Sequence, residues 1–219
     1  ERFVGYGAVM EGEGVSVDNY SIRSNNGQAM FWTDPSVDAQ IDAMLDYDLV
    51  ILQYGLNIMQ QGVYNYTNYA AKIEKMVGFV RECFPGAAVL VMGVSDRSVR
   101  SDTDFERMDA VPHMISYQRL AARRSQAAFW PTSDAMRALG GMERFVRNGW
   151  AGKDYTHINY AGGTRIAHAL FDALNHRACT LRRSHRQRQP EVPVMDSLQH
   201  ERIRRQLLYR PRPIDPSAP

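Results

Sequence analysis

The chain has 219 residues, 44% of them hydrophobic and 23% charged, with a formal net charge of +2. These proportions fit one globular domain with a full hydrophobic core and leave room only for a small appendage. No apolar run reaches the roughly 18 residues of a membrane span, so no transmembrane segment is expected. Because the chain opens at Glu1 rather than Met, its lack of a signal peptide carries no information.

The charge is unevenly spread. From Ala178 to Pro219 nine arginines stand against Glu191, Asp196, Glu201 and Asp215, a net +5, which leaves −3 for the rest of the chain. Basic character thus belongs to the tail, and nucleic acid is not an expected partner of a site in the body. The spacing of Cys83 and Cys179 matches neither a metal site nor a redox motif.

In chain order, the first 14 residues read as glycine-rich loop. Val15 to Ile22 alternates with period two and predicts a strand, ending in the turn-forming cluster Ser24-Asn25-Asn26-Gly27. Asp34-Pro35 predicts a helix start, with Val37, Ile41, Met44 and Leu45 as its buried face. Asp48 to Gly55 is nearly continuously apolar, the pattern of a strand buried on both faces of a parallel sheet. A helix is expected from about Thr67 to Phe84, a second buried strand from Ala87 to Val94, and a polar stretch from Ser95 to Asp109. Then follow a helix from about Pro112 to Arg124, a short strand from Ala127 to Trp130, helical or irregular chain from Met136 to Asn148, and a last helix from Tyr160 to Ala178. Strands alternating with helices imply right-handed crossovers and a mostly parallel sheet between two helical layers.

Residues 179–219 differ in kind from the domain over 1–178. The arginine-rich start has no apolar periodicity and is expected to be disordered, with Met195 to Tyr209 able to form a short amphipathic helix. A solvated linker fits this composition better than a nucleic-acid or anionic-membrane contact.

The chemistry concentrates at Asp154-Tyr155-Thr156-His157, on a loop that feeds into the last helix. An aspartate three residues before a histidine can hold one imidazole nitrogen and leave the other as a base. The bland alternative is a loop histidine beside a helix N-terminal charge. In open parallel sheets ligands bind beyond the carboxyl ends of the strands. Gly27, Gly55-Leu56-Asn57 and Ser95-Asp96-Arg97-Ser98 all follow predicted strands, so one rim collects a base, its orienting acid, loop glycines and an amide donor. Those are parts of acyl-transfer chemistry.

Asp-x-x-His before the last helix, Gly-x-Asn after a buried strand and a loop glycine after an earlier one resemble three of the four sequence blocks of the SGNH (GDSL-like) hydrolases, in the family's order, over about residues 15 to 176. The resemblance implies a three-layer α/β sandwich of flavodoxin-like topology. It implies His157 as general base and Asp154 as its orienting acid, with the Gly27 N–H and the Asn57 amide as oxyanion donors and Gly55 as the glycine of the third block. Gly93-Val-Ser-Asp-Arg-Ser, Gln118-Arg119 and Phe129-Trp130 further resemble a bacterial branch acting outside the cytoplasm.

Two positions depart from that pattern. Ile58 stands where the third block usually has aspartate, and the first block, Gly-Asp-Ser, has no match, which leaves the nucleophile and a central strand unaccounted for. Ser95 and Ser98 follow a strand but lack the second glycine of a nucleophile elbow. The expectation is therefore a nucleophilic serine upstream of Glu1. The implied activity is hydrolysis of a small acyl ester, acetyl on a carbohydrate being one candidate, without metal or organic cofactor. A non-catalytic binding module of the same fold and an acyltransferase using the same residues are the alternatives.

Overall fold

The computed structural model describes residues 14–21, 24–102 and 104–188. A short 3-10 turn over Gln28–Trp32 leads into helix α1 (Pro35–Leu45), strand β1 (Leu49–Leu52) and helix α2 (Thr67–Cys83). Strand β2 (Ala88–Met92) and a hairpin, β3 (Ser98–Arg100) with β4 (Phe105–Arg107), precede helix α3 (Ala110–Arg124) and strand β5 (Ala128–Trp130). Helices α4 (Thr132–Ala138), α5 (Gly141–Arg147) and α6 (Tyr160–Arg188) complete the described residues. The chain divides into two units at Leu170/Phe171, within α6.

The sheet has the order β1-β2-β5, all parallel, with Leu49 opposite Ala88 and Leu90 opposite Ala128. Side chains of a strand alternate between faces, and here the two faces carry separate cores. Val89 and Val91 of β2 join Ile73, Val77 and Val80 of α2 and Val111, Met114 and Ile115 of α3. Met92 faces the other way, packing with Met136 of α4, Met142 and Phe145 of α5 and Ile166 of α6. The result is the expected α/β architecture, helices on both faces of a parallel sheet, which among the described residues is truncated to three strands.

The main helices lie where periodicity and breakers put them. Asp34 caps α1 by accepting the Ser36 N–H at 2.9 Å, with Pro35 in the first turn. α2 ends ahead of Pro85-Gly86, and α3 begins two residues earlier than expected, at Ala110. The chain from Met136 to Asn148 is resolved into α4 and α5 by Gly140 and Gly141, both at positive φ. α6 continues past Ala178 to Arg188, and the amphipathic segment expected over Met195 to Tyr209 lies outside the described residues.

Three expectations need correction, and all concern the β1 side of the sheet. Residues 15–21 form no strand, and Val15, Val17 and Tyr20 are exposed; alternation alone does not make a strand, because each one needs a neighbour to pair its backbone groups. β1 is not buried on both faces. Val50 and Leu52 pack toward α2, while Leu49 and Ile51 project from the opposite face at 38% and 43% exposure. Among the described residues it is the terminal strand of this sheet, without the flanking neighbour that its apolar sequence is suited to. On α1, Val37 and Met44 are exposed and the buried residue is Asp38, whose carboxylate accepts the Thr33 hydroxyl at 2.7 Å. Periodicity fixes which residues share a helix face; it does not supply the surface that covers them.

Candidate active site

The loop from Trp150 to Asn159 is closed on itself. Ala151 and Ile158 form an antiparallel bridge, the Gly152 N–H donates to the His157 carbonyl at 2.7 Å, and the Asn159 N–H donates to the Trp150 carbonyl at 3.1 Å. Inside it Asp154 is the hub. Its Oδ1 accepts the N–H groups of Thr156 and His157, both at 3.1 Å, and its Oδ2 lies 2.6 Å from His157 Nδ1. A short aspartate side chain can reach backbone two and three residues ahead, which is why this spacing serves both the turn and the imidazole. Asn159 then caps α6, its Oδ1 accepting the Gly162 N–H at 3.2 Å.

The electrostatics follow from this geometry. The hydrogen bond from the His157 side chain, followed by the one from its backbone N–H, holds the Asp154 carboxyl at about 2, below the ordinary carboxylate range. An ionised Asp154 is acceptor only, so Nδ1 is the donor in this contact, and among the described residues Nε2 makes no hydrogen bond. The His157 side chain is 74% exposed, so the base is open to solvent and to a reactant.

A second group forms around the loops that precede the 3-10 turn and follow β1. Gly27 and Gly55 adopt φ of +95° and +114°, values that side-chain-bearing residues rarely take. Space forbids a side chain too: a Cβ on Gly27 would overlap Met76 Sδ, and one on Gly55 would come within 2.9 Å of Gln118 Nε2. The Asn57 amide, exposed, donates to the Asn25 carbonyl at 3.4 Å, and the Tyr69 hydroxyl donates to the Asn26 carbonyl at 3.2 Å, so the two loops are joined. The Gly27 N–H donates to its own turn, to Asn25 Oδ1 at 2.6 Å.

The structure thus brings Asp154 together with His157, and Gly27 together with Gly55 and Asn57. Among the described residues no hydrogen bond joins one group to the other. The link runs through the chain beyond β2: Gly55 lies against Val94, and the Ser98 N–H donates to the Tyr155 carbonyl at 3.0 Å.

Of the other residues weighed on sequence, Ser95 and Ser98 are buried, which removes them as solvent-accessible nucleophiles. Asp96 pairs with Arg107 rather than with its neighbour Arg97, at 2.8 Å from Nε. The Trp150 ring is covered by the Arg165 guanidinium at 3.8 Å and by the edge of Phe145, so it serves packing.

Two contributors have no role assigned to them from the sequence. Gln118, buried in α3, spans the ends of two strands, its Oε1 accepting the Val94 N–H at 2.9 Å and its Nε2 donating to the Tyr54 carbonyl at 2.8 Å. An amide is suited to this because it both donates and accepts. The β3–β4 hairpin falls within the stretch from Ser95 to Asp109, expected only to be polar. Its only sequence signal is a pair of short segments, Ser98-Val-Arg and Phe105-Glu-Arg, on either side of the turn-forming Ser101-Asp-Thr-Asp.

No family model matches the chain, and no curated protein does. Among solved structures, a peptidoglycan O-acetylesterase superposes with a TM-score of 0.58 at 28% sequence identity over 67% of this chain. The matched part spans 41% of that protein's own length. A protein described as a GDSL-like lipase from Parabacteroides merdae aligns over 67% of this chain and 75% of its own at 14% identity, with a TM-score of 0.41. The helices on both faces of a parallel sheet, the Asp154–His157 loop ahead of the last helix and the likeness to the acetylesterase together establish that the chain resembles the SGNH (GDSL-like) hydrolases.

Proposed function

We propose that this chain carries the acid-base half of an SGNH-type serine esterase that hydrolyses a small acyl ester, acetyl on a carbohydrate such as peptidoglycan. The observation that carries this reading is the Asp154 Oδ2 to His157 Nδ1 contact of 2.6 Å on an exposed loop, with Nε2 unengaged among the described residues. The likeness to a peptidoglycan O-acetylesterase supports the substrate class. Among the described residues nothing pairs with the outer edge of β1, and Leu49 and Ile51 are exposed; this supports an additional strand there, whose end delivers the nucleophilic serine from upstream.

In this mechanism the serine Oγ attacks the acyl carbonyl while His157 Nε2 takes its proton. The resulting imidazolium is stabilised by ionised Asp154, and the tetrahedral oxyanion by the Asn57 amide and the Gly27 N–H, the latter after release from Asn25. Nε2 returns the proton to the departing alcohol, leaving an acyl-serine. Water, deprotonated by the same nitrogen, then attacks the acyl carbon, and the proton passes to the serine as the acid leaves. No step uses a metal or organic cofactor.

A second reading, a non-catalytic binding module of this fold, is favoured by one observation: the Gly27 N–H is engaged within its own turn. A fluorophosphonate probe applied to the full-length protein separates the two. The esterase reading expects a covalent adduct on a serine upstream of Glu1, lost in His157→Ala. Absence of any adduct supports the binding module. Transfer of the acyl group to an acceptor other than water uses the same residues and is distinguished by the product.

A further inference from the structure

Tyr155 lies between the acid and the base, and its backbone is strained. Its φ is +53°, in the left-handed region, where a bulky aromatic residue is a true outlier. Such a conformation persists only when its surroundings over-determine it. Three contacts do so here: the Tyr155 N–H donates to the Gly152 carbonyl at 3.1 Å, its carbonyl accepts the Ser98 N–H at 3.0 Å, and its ring stacks on Phe105 with centroids 3.6 Å apart and planes 5° from parallel. Two of the three come from the β3–β4 hairpin.

We propose that the β3–β4 hairpin is a clamp for the Asp154–His157 loop and that Phe105 is a positioning residue for the base, acting through its stack on Tyr155. The turn at Tyr155 reverses the chain so that the Thr156 and His157 N–H groups reach Asp154 Oδ1 while His157 Nδ1 reaches Oδ2. The hairpin is itself anchored. Arg107 of β4 donates from Nε to Asp96 Oδ1 at 2.8 Å and from Nη2 to the Ser133 hydroxyl at 2.9 Å, and the Met108 N–H donates to the Arg97 carbonyl at 2.8 Å. A chain of contacts therefore runs from a buried ion pair through β4 and Phe105 to the loop that sets the imidazole. Glu106, one residue on, is exposed on the opposite face of β4 and serves as the internal control.

The catalytic consequence rests on the esterase reading, whereas the structural one does not, so the test has two arms. The first is amide hydrogen exchange on the purified chain. Phe105→Ala is expected to speed exchange of the Thr156 and His157 N–H groups at least about tenfold while α2 amides stay within about twofold, and Glu106→Ala is expected to leave all of them unchanged. Phe105→Leu keeps apolar bulk without a planar face and is expected to give a smaller change at the same two amides; it replaces Phe105→Ala if that variant does not fold. The second arm is ester turnover by the full-length protein. There Phe105→Ala is expected to lower kcat by about 10- to 100-fold with KM within about twofold, since misplacing a catalytic group by about 1 Å costs on that order, and Phe105→Tyr is expected to restore it. Wild-type exchange at Thr156 and His157 in both Phe105→Ala and Phe105→Leu would overturn the clamp. If the wild-type protein turns over no ester, the esterase reading fails and the exchange arm alone decides.

Discussion

The buried ion pair behind the hairpin gives the sharpest stability test. Asp96 is 3% exposed, and its carboxylate accepts from Arg107 Nε at 2.8 Å, from the Ser133 hydroxyl at 3.2 Å and from the Met142 N–H at 3.2 Å, tying β4, α4 and α5 to the end of β2. Asp96→Ala leaves all three donors without their acceptor at once. Breaking a fully buried pair costs about 3–5 kcal/mol, and a lost hydrogen bond to a charged group about 1.5–3 kcal/mol. The Arg107 side chain is 29% exposed and can recover some hydration, so the lower part of the first range applies, about 3 kcal/mol. For a domain of this size that lowers the melting temperature by roughly 6–12 °C. The comparison is Arg124→Ala, which breaks an ion pair with Glu74 at 3.5 Å whose arginine is 59% exposed and is expected to cost under about 1 kcal/mol. Urea unfolding followed by circular dichroism measures both. If Asp96→Ala proves no more destabilising than Arg124→Ala, the buried network does not hold these elements together.

Other consequences follow from single contacts. Gln118→Ala leaves the Val94 N–H and the Tyr54 carbonyl without their partner in the core and is expected to cost about 2–4 kcal/mol in urea unfolding. Gly27→Ala places a Cβ where Met76 Sδ already lies, at a φ alanine disfavours, and is expected to lower the melting temperature by several degrees, whereas Gly62→Ala, with open space around it, gives a smaller drop. Burial, with the Asp38 carboxylate nearby, pushes the Cys83 thiol up to about 11, so a disulfide reagent at pH 8 is expected to modify Cys83 only after unfolding, as read by peptide mass spectrometry. The Asp154 carboxyl titrates lower in the folded chain than in the unfolded one. Its contribution is therefore present above the ordinary carboxylate value near 3.8 and disappears as the pH falls toward about 2. The stability difference between wild type and Asp154→Asn, read by urea unfolding, is expected to shrink steadily as the pH falls from about 5 toward about 2.

The parts of this fold legible in the sequence are those whose signals are local. Thr67–Cys83 carries helical periodicity closed by Pro85-Gly86, Ala88–Met92 is a short apolar run flanked by glycines, and Asp34-Pro35 is a capping signal; each stands within a residue or two of its expected place. The pairing of Asp154 with His157 was legible for the same reason, because three residues of chain fix the distance between them. What could not be read locally depends on partners far along the chain. Among the described residues, Val15 to Ser21 has the alternation of a strand but pairs with no neighbour, and Val37 and Met44 have the spacing of a core face but are exposed. Phe105 and Tyr155 are 50 residues apart in sequence yet stacked in space, and nothing in either short segment announces the other.

The account turns on whether His157 is a base, and the most direct measurement is turnover of p-nitrophenyl acetate by the full-length protein with His157 replaced by alanine. General-base catalysis is worth about 10²- to 10⁴-fold, so kcat/KM is expected to fall by at least about a hundredfold while circular dichroism and melting temperature stay those of the wild type. Turnover within about twofold of the wild type would contradict the assignment.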